Sequence, residues 1–286
     1  YHDELFKVVE SQNGQDAFEL ATVLAPKKFA DGNNMLVTLA QQNLLVKVET
    51  KDVTVTPSPQ KETWLPPLIS GEENGLVVSN KPHDLILKSQ AIIDFTQPDV
   101  SLFYSGLAAQ ARIVHVIGTT GFSKSQLRKI ELAGQHATII RAGNMSLGVN
   151  LLALLSNKVA RSLGEDYDVE ILEMHHNKKI DAPSGTALMI GEAVASGREM
   201  EFNPPTGKSI FDLKSEREKG SIGFASLRGG DVVGEHDVIF SSNGERIILK
   251  HIATDRMIFA KGAIAAATWG VGKGPGQYDM KDVLGL

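Results

Sequence analysis

The residues best suited to chemistry lie in one short stretch, from Glu173 to Ala187. His175 offers an imidazole, a group that ordinarily titrates near neutral pH, and Lys179 offers a compact ammonium that attracts carboxylates. A Ser-Gly-Thr turn then leads into apolar residues at helical spacing, so Ser184 or Thr186 is expected to cap a helix there. The first amides of a helix attract anions. The stretch therefore predicts an anion-binding pocket with a proton donor beside it.

Two secondary-structure elements must position this stretch. Residues 169–174 alternate between apolar and polar side chains as a strand does, and residues 186–196 place apolar side chains on one helical face. Neighbouring strand residues face opposite sides, so the pair His175 and His176 lacks a metal-binding spacing, and no metal site is predicted. Glu173 either orients a histidine or simply belongs to the strand, and the sequence leaves both interpretations open.

Residues 91–145 alternate between predicted strands and helices. Strands are expected at 91–95, 113–117 and 138–141, and helices at 100–111 and 127–134. Such alternation is typical of a parallel sheet, in which ligands bind at the carboxyl ends of the strands. The loops 118–120 and 142–145 are expected at that edge. A plain strand-to-helix turn is the alternative to a ligand-binding role for Gly118 and its neighbours.

The first 90 residues have a less regular pattern. A helix is expected over residues 3–9 and a strand over 18–24, and residues 30–90 are interpreted as a surface elaboration. A Rossmann domain ordinarily opens with a strand and a turn of the Gly-x-Gly-x-x-Gly type, and the sequence contains none before residue 90. We therefore expect that strand and turn to lie upstream of Tyr1 or to have been lost.

The second half of the chain predicts a further domain with an open antiparallel or mixed sheet. A long helix is expected at 146–163, strands at 222–228, 237–241 and 245–251, hairpin turns at Gly229-Gly230 and Asn243-Gly244, and a final helix at 257–269. Apolar residues alternate onto both faces of the last strand, so helices are expected on one face and a second subunit on the other. His236 and His251 either line the site or have the commoner structural roles.

Composition excludes several classes of function. The 286 residues carry a net charge of −5 without a Lys/Arg-rich run, so nucleic acid is not an expected partner. Because the chain has no cysteine, it has no disulfides, thiol chemistry or thiolate metal sites. No apolar run has the length of a membrane helix and no signal peptide is visible, so a cytoplasmic enzyme without a membrane partner is expected.

The pattern Glu-x-His-His-x-x-Lys-x-Asp-Ala-Pro-Ser-Gly-Thr-Ala at 173–187 resembles the signature of the dihydrodipicolinate reductase family, which acts in bacterial lysine and diaminopimelate biosynthesis. Further blocks agree with that family in order and spacing. They are Ile93–Pro98, Val116–Phe122, Gly143–Asn150, and Gly220–Ala225 with Val233–His236. The resemblance extends from about residue 90 to the end of the chain.

The resemblance implies an α/β fold with two domains. A Rossmann-like, parallel-sheet nucleotide-binding domain is expected over residues 1–145 and 254–286, and a second α+β domain with an open mixed sheet over 146–253. The second domain would bind substrate and hold a homotetramer together. The implied reaction is the NADH- or NADPH-dependent reduction of 4-hydroxy-tetrahydrodipicolinate, a small dicarboxylate, to tetrahydrodipicolinate. Lys27 and Lys28 either attract the 2′-phosphate of NADPH or are ordinary surface lysines.

The resemblance also implies roles for individual residues. His175 would be the general acid, and Lys179 would be the second catalytic group and would also hold a substrate carboxylate. The implied substrate-binding residues are His176, Lys179, Ser184, Gly185, Thr186 and Arg256. The implied cofactor-binding residues are Gly118, Thr119, Thr120, Ala142, Gly143, Asn144 and Met145.

A second class of function is also open at this point. A non-catalytic relative could bind a dicarboxylate and assemble without a cofactor, because the substrate half of the pattern is complete and the phosphate loop is not found. Other two-domain dehydrogenases of similar shape are disfavoured, because they lack the pattern that joins His-His-x-x-Lys to Ser-Gly-Thr. Fluorescence titration with NADH or NADPH separates the first two functions.

Overall fold

The computed structural model of the protein describes residues 82–204 and 216–286, together with the backbone of five short strands before residue 82. The strands are β1 Val8–Glu10, β2 Phe18–Leu20, β3 Met35–Leu39, β4 Leu44–Val48, β5 Val77–Ser79, β6 Ala91–Asp94, β7 Val114–Ile117, β8 Thr138–Arg141, β9 Asp168–His175, β10 Ile222–Arg228, β11 Gly234–Ser242, β12 Glu245–Ala253 and β13 Gly276–Tyr278. The helices are α1 Pro82–Ile86, α2 Pro98–Ala111, α3 Lys124–Ala133, α4 Leu147–Leu163, α5 Gly185–Gly197, α6 Met257–Gly270 and α7 Met280–Leu284.

Contacts between these elements divide the chain into two units. The first comprises Tyr1–Gly143 and Phe259–Leu286, and the second comprises Asn144–Ile258. Among the described residues, no helix has both the length and the apolar character that a membrane crossing requires.

A seven-stranded sheet forms the first unit, in the order β13-β8-β7-β6-β3-β4-β5. The strands from β13 to β3 are parallel to their neighbours, whereas β4 and β5 extend the sheet in antiparallel fashion. All residues of β6 and β7 are buried, as expected for parallel strands covered by helices. Ile92 and Ile117 of these strands pack with Tyr104 of α2 and Ile130 of α3. The predicted Rossmann-like parallel sheet is therefore confirmed.

The second unit is built on a four-stranded mixed sheet, in the order β10-β9-β11-β12. β10 runs parallel to β9, and the pairs β9–β11 and β11–β12 are antiparallel. Helices α4 and α5 pack against one face of the sheet and form a hydrophobic core with it. The core includes Leu152 and Ile190 from the helices, and Ile171, Phe224 and Phe240 from the strands. On the opposite face of β12, Ile248 and Ile252 are each 52% exposed. The open mixed sheet and its helices confirm the predicted α+β architecture.

Local sequence signals determine where the helices begin. The Ser123 hydroxyl accepts the Gln126 N–H at 3.3 Å, and the Gln126 side chain accepts the Ser123 N–H at 2.8 Å, which makes a capping box for α3. The Ser146 hydroxyl caps α4 by accepting the Val149 N–H at 3.2 Å. Such local bonds explain why the elements predicted between residues 91 and 270 agree with the observed ones to within a few residues.

Three local predictions are wrong. Val8 and Val9, predicted as helix, pair with β2 in an antiparallel ladder. The segment 30–90 is more than a surface elaboration, because β3, β4 and β5 belong to the main sheet and β3 lies parallel to β6. The pair Gly229-Gly230 does not form a β-hairpin turn, because β9 lies between β10 and β11. In the second and third cases, pairing with a strand distant in sequence decides the outcome.

Other predictions for the first 90 residues concern positions outside the described residues. These positions are 3–7, 21–24, Lys27 and Lys28. The hairpin turn predicted at Asn243-Gly244 is confirmed, because β11 and β12 pair from Ser242 and Glu245 onward. Gly244 has φ +93°, a conformation that glycine adopts without strain.

Candidate active site

Strand β9 brings two functional side chains to the inner face of the second unit. Glu173 and His175 are two residues apart, so both point to the face that the helices cover. They are 1% and 9% exposed. A carboxylate and an imidazole are rarely buried without partners, and both side chains make close hydrogen bonds.

The Glu173 carboxylate holds three groups at once. Its Oε2 lies 2.5 Å from His175 Nδ1, and its Oε1 accepts the Ser184 N–H at 3.2 Å. Arg228 donates through Nη1 to Oε2 and through Nη2 to Oε1, at 2.8 Å each. Burial on its own would raise the pKa of Glu173, but the hydrogen bonds from His175 and Arg228 outweigh burial and lower the pKa to about 2. Glu173 is therefore a permanent anion at neutral pH.

This anion decides which nitrogen of His175 can transfer a proton. An ionised carboxylate only accepts hydrogen bonds, so His175 Nδ1 must carry a hydrogen toward Glu173. Nε2 is the nitrogen left for exchange with a ligand. It lies beside Gly234, where an added Cβ would be 3.0 Å from Nε2. Glu173 thus orients a histidine, which settles the question that the sequence left open for this residue.

His236 packs against the same imidazole from β11. The rings of His236 and His175 are 5.2 Å apart and nearly perpendicular. His236 Nε2 lies 3.1 Å from the Ser184 hydroxyl, and the side chain is 4% exposed. Burial lowers the pKa of His236 to about 3, and the charges of His175 and Lys179 act in the same direction. His236 is therefore a neutral, buried neighbour of the site.

Helix α5 begins at the turn where the sequence predicts amides suited to an anion. Ser184 is the cap, since its hydroxyl accepts the Ala187 N–H at 3.1 Å. Its own N–H donates to Glu173, so the polar atoms of Ser184 point inward. In the described part of the chain, no hydrogen bond occupies the N–H of Gly185 or of Thr186. These two amides, rather than Ser184, are the ones able to receive an anion.

The loop between β9 and α5 carries Lys179, and Arg256 lies between β12 and α6. Lys179 Nζ lies 2.8 Å from Asp181 Oδ1, and the Lys179 side chain is 13% exposed. The Lys179 N–H donates to the His176 carbonyl at 3.2 Å. Arg256 Nη2 lies 3.3 Å from His176 Nε2. His176, Lys179 and Arg256 are thus linked within the second unit.

The residues expected to bind a cofactor lie on two strand-to-helix loops. The Gly118 N–H donates to the Asp94 carbonyl at 2.8 Å, and the Ala142 N–H donates to the Ile117 carbonyl at 3.2 Å. The loops therefore begin side by side at the carboxyl ends of β7 and β8. Thr120 and Gly143 are exposed, whereas Thr119 is 6% exposed and its hydroxyl accepts a hydrogen bond from Ser101 at 2.9 Å.

Asn144 and Met145 belong to the second unit. The Asn144 amide donates to Thr186 Oγ1 at 3.0 Å, and its carbonyl oxygen accepts the Ser146 N–H at 2.8 Å. Met145 is 1% exposed, so only its backbone could contact a ligand. The side chain of Asn144 thus supports the N-terminus of α5 in addition to any role toward a cofactor.

A buried polar chain supports the first of these loops. Asp94 Oδ2 lies 3.2 Å from His115 Nε2, and His115 Nδ1 lies 3.2 Å from Ser105 Oγ. Burial raises the pKa of Asp94, but the hydrogen bonds from His115 and Thr96 outweigh burial and leave the pKa below its ordinary value. The carboxylate at the end of β6 is therefore used inside the sheet.

Sequence reasoning missed Arg228 and Asp181. Arg228 is opposite His175 in the parallel register of β9 and β10, although 53 positions separate them in the sequence. No spacing rule connects residues so far apart. Asp181 stands inside the recognised pattern, but its contact with Lys179 depends on how the loop folds. Within the described residues, no group of three or more His, Asp or Glu side chains is arranged to hold a metal ion.

Comparisons with known proteins identify the family of the chain. Family models described as "Dihydrodipicolinate reductase, N-terminus" and "Dihydrodipicolinate reductase, C-terminus" match residues 7–145 and 148–284. A 4-hydroxy-tetrahydrodipicolinate reductase from Ruegeria pomeroyi is 54% identical over 218 residues, which are 76% of this chain and 81% of the relative. One from Brucella abortus is 54% identical over 213 residues, 74% of this chain and 80% of the relative.

A solved structure is also similar. It is a dipicolinate-bound dihydrodipicolinate reductase from Paenisporosarcina sp., with 26% identity and a TM-score of 0.56 over 67% of this chain and 72% of that chain. The N-terminal family model begins at residue 7, so the similarity also includes the segment before residue 90.

Proposed function

The chain belongs to the dihydrodipicolinate reductase family, and we propose that it catalyses the nicotinamide-nucleotide-dependent reduction of 4-hydroxy-tetrahydrodipicolinate to tetrahydrodipicolinate, a step of lysine and diaminopimelate biosynthesis. The observation that carries the site assignment is that one buried carboxylate, Glu173, holds both His175 and the N-terminus of α5. Because the similarity to reductases covers both halves of the chain, a non-catalytic role gains no support.

The reaction adds a hydride and a proton to the ring of the substrate and removes a hydroxyl as water. His175 gives the proton through Nε2, because its Nδ1–H is held by the Glu173 carboxylate. The carboxylate stabilises the imidazolium before transfer and leaves the neutral imidazole in a single tautomer afterwards. Glu173 therefore acts on the substrate only through His175.

Two groups hold the carboxylates of the substrate in this proposal. The free amides of Gly185 and Thr186 receive one of them at the positive end of α5. Lys179 receives the other carboxylate, and His176 and Arg256 lie beside Lys179 as further groups that can contact it. Anchoring at two points fixes the ring in one orientation toward the proton donor.

The residues present fit a nicotinamide nucleotide at the carboxyl edge of the parallel sheet. An added Cβ at Gly118 would be 2.3 Å from the Phe95 ring, so any larger residue here would displace either the turn or that ring. The residues that would hold the nucleotide are Gly118, Thr119, Thr120, Ala142, Gly143, Asn144 and Met145. When bound, the nucleotide supplies the hydride. Both NADH and NADPH remain candidates, and parallel titrations with the two decide between them.

Replacing His175 with glutamine tests the proton donor. Glutamine keeps a polar group of similar size but cannot act as an acid at neutral pH, so we expect kcat to fall at least a hundredfold with a much smaller change in KM. Steady-state reduction assays with NADH and NADPH measure both constants. His136→Gln is the matched control, because His136 is exposed on the first unit and should leave both constants unchanged. An unchanged kcat in His175→Gln would remove His175 from the acid role.

The protein acts in the cytoplasm as a homotetramer in this proposal. The face of the mixed sheet opposite its helices supports the second part, because Ile248 and Ile252 are each 52% exposed there. Sedimentation velocity of the unaltered protein and of Ile248→Lys provides the test. A tetramer that the lysine variant disrupts supports this face as the contact, whereas a monomeric unaltered protein would contradict the assembly.

A further inference from the structure

Arg228 ties the proton donor to the loop that carries Lys179. It is the last residue of β10, and its two Nη atoms donate hydrogen bonds to the two carboxylate oxygens of Glu173 at 2.8 Å each. Nη2 also donates to the Asp181 carbonyl at 2.7 Å. The Arg228 side chain is 20% exposed and the Glu173 side chain 1%. A bidentate salt bridge of this kind is among the strong ion pairs that an arginine makes.

We propose that Arg228 is a positioning residue that keeps the Glu173 carboxylate charged and thereby sets how readily His175 gives up its proton. Arg228 does not touch the reacting atoms in this scheme and acts through Glu173 alone. The inference rests on the proposed function, in which His175 is the proton donor.

The physical reason lies in what remains after the proton has left. Before transfer, His175 is an imidazolium beside the Glu173 carboxylate, and departure of its Nε2 proton leaves a buried carboxylate beside a neutral imidazole. The guanidinium of Arg228 stabilises that state, because it places a positive charge against both carboxylate oxygens. Without Arg228 the bare carboxylate is costly, so the pair keeps its proton to higher pH and becomes a poorer donor.

Other titratable and polar groups also surround His175. The His236 ring faces it from β11, and Ser184 reaches Glu173 from the start of α5. Lys179 from the loop and His251 from β12 act electrostatically on His236. These side chains are unaltered in the variants of Glu173 and Arg228, so they are common to the proteins compared.

The test compares pH profiles of kcat/KM for the unaltered protein, Arg228→Met and Glu173→Gln. In Arg228→Met, we expect the limb that falls toward high pH to move up by about one pH unit or more, and kcat at neutral pH to fall about three- to tenfold. In Glu173→Gln the same limb should move down, because the carboxylate that retains the proton is gone. A merely structural role would not move the limb in opposite directions.

A conservative variant and a matched control complete the design. Arg228→Lys keeps the positive charge without the bidentate contact. The high-pH limb of its kcat/KM profile should therefore lie between those of the unaltered protein and Arg228→Met. Arg217→Met is the control, because Arg217 also bonds a glutamate of β9, Glu170, which points to the opposite face from Glu173. We expect no movement of the limb in Arg217→Met.

The outcome can be separated from failure of the proposed function. Proton NMR of the His175 Cε1–H over the same pH range follows the donor without turnover, and it should show the same opposite displacements in Arg228→Met and Glu173→Gln. Displacements in the same direction, or none in either variant, would overturn the role of Arg228. Absence of turnover in the unaltered protein would overturn the reductase assignment instead.

Discussion

Replacing Glu173 with glutamine removes a carboxylate whose stabilising effect depends on pH. Burial would raise the pKa of this group, yet the bonds from His175 and Arg228 outweigh burial and lower the pKa from its ordinary 4.5 to about 2. A carboxyl with a lowered pKa stabilises the folded protein fully above its unfolded pKa, and this effect is lost as the pH falls through the folded pKa. Since one pKa unit corresponds to about 1.4 kcal/mol, Glu173 contributes about 3 kcal/mol at pH 7 and about 1.4 kcal/mol at pH 3.

Urea unfolding followed by intrinsic fluorescence measures this difference. We expect the free energy of unfolding of Glu173→Gln to lie about 3 kcal/mol below that of the unaltered protein at pH 7, and we expect the deficit to shrink by about half at pH 3. Glu192→Gln is the control, because Glu192 is exposed on α5 and its replacement should change stability by less than about 0.5 kcal/mol at either pH.

Two results would refute the reasoning about Glu173. A deficit of equal size at pH 7 and pH 3 would mean that the ionised form is not the source of the stabilisation. A deficit below about 1 kcal/mol at pH 7 would mean that the bonds from His175 and Arg228 only offset the cost of burial. Either result would also remove the permanent negative charge on which the tautomer of His175 depends.

Three further variants test the packing around the site. Gly191→Ala would place a Cβ 2.5 Å from Phe224 Cζ in the core, so it should destabilise the protein by about 1–3 kcal/mol, and an unchanged Tm would contradict that packing. Gly234→Ala would place a Cβ 3.0 Å from His175 Nε2, so kcat should fall about tenfold or more while Tm changes little; full activity would contradict Nε2 as the donor atom. Ser184→Ala removes the cap of α5 and should lower the free energy of unfolding by about 1 kcal/mol in urea, and no loss would argue against the cap.

Much of the architecture could be predicted because its signals are local. The predicted bounds of strand β8 agree with the observed ones, since three β-branched residues precede Arg141 and the turn that follows it. Helix α5 begins where the Ser-Gly-Thr turn predicts it, because Ser184 bonds an amide only three residues away. Errors arise where pairing is distant, as at Gly229 and Gly230, where a turn signal is correct but β9 separates the two strands it would join.

In the candidate site, the residue types could likewise be predicted from the sequence, but their orientations could not. His175, Lys179 and the amides of Gly185 and Thr186 come from one continuous stretch, so their types and order point to an acid beside an anion-binding helix end. The inward orientation of Ser184 could not be read from its type, because a serine hydroxyl can cap a helix or bind a ligand equally well.

The sequence by itself thus determined most elements between residues 91 and 270, the helix end and the presence of an imidazole and an ammonium beside it, because each depends on residues within a few positions of one another. Only the tertiary structure decided which nitrogen of His175 is held and what holds it. Glu173 meets Arg228 because β9 and β10 run parallel in register, with 55 positions between the two residues. Strand register follows from packing of the whole sheet, and no local pattern in the chain encodes it.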